Sequence, residues 1–535
     1  MILCHKHKNK EKTMYIRKIL IVVLSVSLSL TATGWSQEND EIKISSKPIE
    51  IELADEAAIV IGGFRITLSD AIKKAIENNQ DILTGKYDVA MSDTYYEQFQ
   101  AKYSPFFSAS AGLTTTKYPA LAQSKYGESN KTVDISSSIA KSFSSGTTIA
   151  GGVTNSYSDT KGYLNPSNYS RYDSRTNTPV LFVSIEQELL KNAFGYNDRK
   201  QEKILQNSTL MQKDQIIYGL SLVVVGVIVD YWTVIVNKTQ LDNAGLMLQE
   251  TRKVRRIVAD NVKLGLAEQF ELNYWNSLIA SSEASVSQAE QNYRDALRKF
   301  LQVVNMSDEI TMQEKAILQN KLPVINSEEA LKKAYIKRAD YLNAKRSLEN
   351  AKLQLDIDGN GALPSLTGSL TISSMDVNES TGESYSNASS MKYPSYEAQV
   401  KLTYPLADSN QKVSERNSRW KVEQAKFQVD KYSRIVKDDV TSKVEKVNTN
   451  YKLYQKAREA RIQAEIYYSK MLVNLRRGRF TAAVVRNSLD ALINSREAEL
   501  QLLVLFNASL LEFEVAKNDL FETYKIDVEK YIPKD

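Results

Sequence analysis

The sequence predicts a mixed α and β membrane protein, internally duplicated, in which short amphipathic strands are interleaved with very long helices. Three observations carry this prediction. Two stretches, at about 195–262 and 410–475, hold a helical pattern with no proline. Period-2 segments put apolar and polar side chains on opposite faces, as in Tyr396, Ala398, Val400 and Leu402 against Glu397, Gln399, Lys401 and Thr403. The two halves of the chain also align with each other at a fixed shift.

The first element is an export signal. Arg17 and Lys18 precede an uncharged run of Ile, Leu, Val and Ser at 19–30, and small residues come after it up to Ser36, near which cleavage is expected. A basic start, a short apolar core and small residues before a polar segment are the three parts of a secretory signal. The run is too short for a bilayer span, which needs about 20 residues. Cys4 lies upstream of the apolar core, so no lipid anchor is expected there. The expected domain boundaries are a signal peptide at 1–36, an extension at 37–65, a first repeat at 66–326, a second repeat at 327–525 and a tail at 526–535.

Removing the leader changes the composition decisively. Of 69 Lys and Arg, six lie in the leader (Lys6, Lys8, Lys10, Lys12, Arg17, Lys18), and of 64 Asp and Glu only Glu11 does. The formal charge of +5 therefore belongs to the leader, and the rest of the chain is neutral. Both histidines (His5, His7) and Cys4 go with it. Beyond residue 36 the chain lacks the side chains for a His-based triad, a Cys nucleophile, Cys/His zinc or iron–sulfur ligation, and disulfides. Nor does it carry the general basic excess that nucleic-acid binding uses. No catalytic residue, metal or cofactor is expected.

Each repeat then reads in the same order: medium helix, proline-initiated strand, polar region, strand, very long helix, glycine turn, helix. A shift of 259 residues places Ala71-Ile72-Lys73-Lys74-Ala75 on Ala330-Leu331-Lys332-Lys333-Ala334 and carries Asp81, Pro105 and Ser110 onto Asp340, Pro364 and Ser369. The long helices show coiled-coil-like seams, Val440, Val444, Val447, Tyr451 and Tyr454 in one, and Leu241, Ala244, Leu248, Val258 and Val262 in the other, the latter interrupted by Thr251 and Arg255. At 1.5 Å per residue each would extend on the order of 100 Å, the dimension of a rod or tube. The strands begin after Pro105 and Pro364 and recur around Leu181, Val183 and Ile185 and around Val400. Their length approaches the 9–11 residues that cross a bilayer, and Tyr and Phe cluster at their ends as in interfacial girdles. A further hairpin is expected at roughly 132–155, turning at Ser144-Ser145-Gly146, with its place in or beside a barrel left open.

These pieces together resemble the TolC-like outer membrane efflux protein family: "LSDAIKKAIENNQDI" and its repeat "ALKKAYIKRADYLNAKRSLENAK", "ALPSLTGSLTIS" with "YSPFFSASAGLTT", "VKLTYPL" with "VSIEQELL", and the turns at Gly265 and Gly478. The resemblance implies a homotrimer whose subunits each give four strands to a 12-stranded β-barrel in the cell outer membrane, continuing into an α-helical coiled-coil tunnel in the periplasm. It implies a passive exit duct for efflux or type I secretion, not an enzyme, with a periplasmic adaptor, an inner membrane pump and outer membrane lipid as partners. Four strands cannot close a barrel alone, and lipid does not tolerate an open edge, so oligomerisation is required. The alternative from another class is a periplasmic coiled-coil scaffold without transport activity.

By the same resemblance the glycine turns are periplasmic hairpin tips where adaptors dock, at Gly265 and Leu266 and at Gly478, Arg479, Phe480 and Thr481. The family usually places Asp six residues after this glycine. Here the positions hold Glu271 and Val484, with Glu268 and Asp490 nearby. The second tip is basic instead, and Arg476, Arg477, Arg479 and Arg486 are the candidates for a cationic ring at the entrance. The polar face of Glu397, Gln399, Lys401 and Thr403 is the candidate barrel lumen. The uncharged run at 215–229 is expected to be a buried part of the long helix, because Asp230 stops it short of a span.

Overall fold

A computed structural model describes residues 59–61, 64–164, 170–306, 318–406 and 409–527. The expected signal peptide, most of the 37–65 extension and the end of the 526–535 tail lie outside the described residues. The chain divides into two compact units. One takes the described residues up to Leu83 with Ser221–Ala330 and Asp439–Lys525, and the other takes Thr84–Leu220 and Leu331–Asp438. Each unit therefore draws on both halves of the sequence.

The first unit is helical, apart from a small hairpin of β1 (Ile59–Ile61) and β2 (Phe64–Ile66). Helix α1 (Leu68–Asn78) starts at a capping box: Thr67 Oγ1 accepts from the Asp70 backbone N–H at 3.1 Å, and the Asp70 carboxylate accepts from Thr67 N–H at 3.4 Å. Asn79 then caps α2 (Gln80–Ala90) through its side-chain oxygen and donates its amide to the Val303 carbonyl at 2.8 Å. That bond joins it to α6 (Gln269–Val304), the partner of the long α5 (Tyr196–Lys263). The apolar run of α5 is half buried inside the chain. Val224, Val227, Ile228, Tyr231 and Val234 are enclosed, and Tyr231 meets Phe300 edge-on at 5.8 Å. Each such fully buried apolar side chain contributes about 1.5–3 kcal/mol. Asp230, which ends the run, is paired with Lys299 at 2.5 Å.

The second long pair is α10 (Ser409–Arg476) and α11 (Ala482–Lys517), followed by the short α12 (Leu520–Thr523). Both long helices have 68 residues, and both of their partners have 36. Their seams are largely as the periodicity predicts, with Val440, Val447, Tyr454 and Val258 buried. Thr251 does not interrupt its seam. It is fully buried, because its hydroxyl donates to the Met247 carbonyl at 2.7 Å and leaves only apolar surface to pack.

The second unit holds α3 (Thr94–Ala101), the remainder of α7 (Ser327–Lys337), α8 (Ala339–Gly361) and one antiparallel sheet. Its strands are β3 (Phe106–Lys117), β4 (Ser129–Ser142), β5 (Thr147–Leu164), β6 (Arg171–Glu188), β7 (Ser365–Met375) and β8 (Pro394–Thr403), in that spatial order. The sheet thus has six strands, not the four expected per chain. The physical reason is the 132–155 hairpin. It does not sit beside the sheet: β4 pairs with β3 from Phe106↔Ala140 to Lys117↔Ser129, and β5 pairs with β6 from Thr147↔Gln187 to Leu164↔Arg171. Two short helices, α4 (Ala120–Tyr126) and α9 (Thr381–Ser389), occupy the connections β3–β4 and β7–β8.

Candidate functional site

Where all six strands pair, the sheet has one mainly apolar and one mainly polar face, with Val180 and Phe182 of β6 as apolar exceptions on the polar side. Antiparallel pairing keeps opposed residues on the same side, and the register carries Leu113 to Val133, Val133 to Tyr157, Val153 to Leu181, Val183 to Ile372 and Ile372 to Tyr396. Little among the described residues covers the apolar face at its middle, where Leu113, Ile135, Ile139, Val183, Leu370 and Val400 are all exposed.

The opposite face carries hydroxyls and charges. Ser108 pairs with Ser138 at 2.9 Å, Ser110 with Ser136 at 2.8 Å, and Ser156 donates to Asp134 at 2.7 Å. Glu397, Gln399, Lys401 and Thr403 lie on this face of β8, opposite Thr371, Ser369, Thr367 and Ser365. The structure therefore brings all four expected lumen candidates onto one polar surface. It adds the hydroxyl ladder of β3–β5, at which the Ser136-Ser137-Ser138 run only hints. Neither β3 nor β8 has a partner on its outer side among the described residues, and β8 is exposed along its whole length.

At one end the strands meet the helices through a tightly built junction. Asn192, in a left-handed conformation, accepts from Asn197 N–H at 2.8 Å to cap α5 and receives its own restraint from Asn360, whose oxygen accepts the Asn192 N–H at 2.8 Å. Lys102 pairs with Asp198 at 2.9 Å in the same place. Past the other end, Asn177 is buried and donates to Ser384 of α9 at 2.9 Å.

In the helical unit the two glycine turns are built alike. At each, the glycine has positive φ, and the next residue's N–H closes back on an asparagine carbonyl: Leu266 to Asn261 at 2.8 Å, and Arg479 to Asn474 at 3.0 Å. That is the Schellman closure of a helix C-terminus, which uses glycine because a Cβ disfavours the left-handed conformation. The two tips lie together. A Cβ on Gly478 would come within 3.3 Å of Leu266, and Asn261 donates to the Leu475 carbonyl at 3.3 Å. Beneath them Val254, Val258, Trp275, Leu475, Val485 and Leu489 form one core. Tyr468 Oη donates to Glu250 at 2.6 Å, and burial first, then the Glu250 carboxylate, pushes the phenol above its ordinary range so that it stays a donor.

The expected tip residues separate into two groups. Arg476, Arg477 and Arg479 are exposed beside Gly478, with no carboxylate partner among the described residues. Arg486 belongs elsewhere, since its Nε is bound to Asp490 at 2.7 Å one helical turn on, which balances its charge. Glu268 precedes α6 and Glu271 lies in its first turn, a position favoured for acids by the helix dipole. Exposed Leu264, Leu266, Phe270 and Phe480 surround these charges. The sequence does not single out Phe270, because an isolated apolar residue near a turn carries no periodic signal.

No family model matches the chain, and no curated protein matches it. Solved structures do. The outer-membrane channel OprN superposes with a TM-score of 0.60 at 11% identity, over 84% of this chain and 90% of that one. The CmeC outer membrane channel of Campylobacter jejuni gives 0.59 at 12%, over 94% and 97%. The open state of the Neisseria gonorrhoeae MtrE outer membrane channel gives 0.59 at 13%, over 85% and 89%. The chain shares its fold with these outer membrane channels. More narrowly, the chain has the fold of the TolC-like outer membrane efflux channels.

Proposed function

We propose that the chain is a passive outer membrane exit duct, for efflux or type I secretion, that works as a homotrimer. The observation that carries this reading is the sheet with one uncovered apolar face, one hydroxyl-rich face and two open edges. In water such a sheet would expose a large apolar surface and two pairing-competent edges. In a bilayer the apolar face meets lipid, the polar face wets a pore, and edges of neighbouring copies satisfy one another. The matched lengths of the two long helical pairs support an internally duplicated chain, and the likeness to outer membrane channels supports the placement of the helices in the periplasm.

The tips are the adaptor-facing entrance in this reading. Exposed leucines and phenylalanines among arginines offer a partner apolar anchors with a basic surround. An inner membrane pump supplies the energy, which agrees with a mature chain that has neither His nor Cys for chemistry. Density-gradient fractionation of cell envelopes tests the proposal: the protein should band with outer membranes and migrate as an SDS-resistant oligomer that heat dissociates. A soluble periplasmic monomer would refute it and favour a scaffold.

A further inference from the structure

We propose that the hairpin β4–β5 is part of the barrel wall, so that each copy contributes six strands and a closed three-fold barrel has eighteen. The inference rests on the trimeric outer membrane reading above and deepens it by setting the width of the passage.

Four observations place the hairpin in the wall. Its strands are inserted between β3 and β6 and pair on both sides, unbroken against β3 and with one irregularity, between Thr160 and Tyr163, against β6. Its alternation matches that of its neighbours, with Val133, Ile135, Ile139, Ile149 and Val153 on the shared apolar face and Ser136, Ser138, Thr148 and Thr154 on the polar one. Ile135 and Ile139 are more than half exposed, which a hairpin standing in water would not favour. Finally, the turn is fastened at the strand–helix junction. Gly146 O accepts from Glu188 N–H at 3.1 Å, and Gln187 donates its amide to Ser145 O at 3.0 Å. A Cβ on Gly195 would lie 1.7 Å from the Ser144 carbonyl oxygen, so turn and junction are in direct contact.

Charge brackets the apolar part of the hairpin. On the apolar face of β4, Lys141 and Lys131 stand at either end of the stretch from Val133 to Ile139. They are ten residues apart. At roughly 3.3 Å per residue and a tilt of about 40°, that separation is about 25 Å along the membrane normal, the height of the lipid-facing band of outer membrane barrels. Long lysines at both limits reach the headgroups.

The edges left for closure are β3 of one copy and β8 of the next, both open along their outer sides. With strands about 4.8 Å apart at the same tilt, eighteen of them enclose a backbone cylinder roughly 36 Å across, against roughly 24 Å for twelve. The hairpin lining adds hydroxyls, and Asp134, its one acid, accepts from Ser156. The barrel of this protein is thus a wide, weakly charged passage that accepts bulky organic solutes or an extended polypeptide, and it leaves selection to the helical entrance.

A single-cysteine scan in the full chain tests this, starting from a Cys4→Ser background. Ile135→Cys, Ser136→Cys, Val153→Cys and Thr154→Cys report on the hairpin, and Gln399→Cys and Val400→Cys on the edge strand β8. Each is labelled with a small fluorophore in vesicles, after its SDS-resistant oligomer has been verified. Brominated-acyl phosphatidylcholine should quench positions 135, 153 and 400 at least about threefold more than 136, 154 and 399, and aqueous iodide should do the reverse. Alternation at 399/400 with iodide reaching all four hairpin positions would overturn the proposal alone. Loss of alternation at 399/400 as well would overturn the membrane reading on which it rests.

Discussion

Placing arginine at Ile372 or at its neighbour Thr371 separates lipid from water across one peptide bond. Ile372 opposes Val183 and Tyr396 on the apolar face, and Thr371 opposes Ser184 and Glu397 on the polar one. Arginine at the lipid midplane costs roughly 2–4 kcal/mol, whereas lumen positions are tolerated. Since each 1.4 kcal/mol is tenfold, Ile372→Arg should lower the folded-to-unfolded ratio by roughly 30- to 1,000-fold. Thr371→Arg, beside Glu397, should stay within a few-fold of the parent. Urea titration of the chain refolded into lipid vesicles, followed by retention of the SDS-resistant oligomer, measures both. Equal losses, or a larger loss for Thr371→Arg, would refute the assignment of faces and with it the barrel.

Three further outcomes rest on named contacts. Arg479→Glu should shift the channel's ion selectivity toward cations in planar bilayers, and unchanged selectivity and conductance would count against a basic entrance built from Arg476, Arg477 and Arg479. Gly195→Ala meets both a left-handed φ, worth about 1–2 kcal/mol, and the Ser144 carbonyl, so its oligomer should melt well below that of Gly265→Ala, which carries the same backbone strain with nothing within 4 Å of the added Cβ. Equal melting of the two would dismiss the junction contact. Glu512 is the acid-sensitive link: burial alone would raise its pKa, but hydrogen bonds from Lys446 at 2.8 Å and Lys443 at 2.9 Å hold it below the ordinary carboxylate range. A depressed folded-state pKa adds stability above the unfolded value and loses it as pH falls through the folded one. The thermal-stability gap between parent and Glu512→Gln should therefore be full at neutral pH and close in acid, and a gap independent of pH would show that the pairs contribute nothing.

Much of this architecture is legible in the sequence because its signals are local. A long helix without proline declares its length, and the expected limits of both long helices fall within one residue of Tyr196–Lys263 and Ser409–Arg476. Strand faces are equally plain, since period-2 alternation says which side chains share a side. It does not say which strands are neighbours. The hairpin at 132–155 is visible with its turn, yet its place between β3 and β6 depends on pairing partners tens of residues away, and nothing in its own period encodes them. The tip arginines show the same limit. Four basic residues within eleven positions read as one cluster, but α-helical spacing sets Arg486 against Asp490 and leaves the other three beside the turn. Thr251 breaks its seam on paper only because its hydroxyl counts as polar until the helix carbonyl behind it is seen to satisfy the bond.

The central claim is that this sheet is incomplete until copies of the chain close it in a membrane. Native mass measurement of the particle extracted by detergent from outer membranes tests that claim most directly. Three copies in one detergent-dependent particle are predicted. A single copy of the chain, monodisperse in buffer without detergent and absent from the outer membrane, would contradict it.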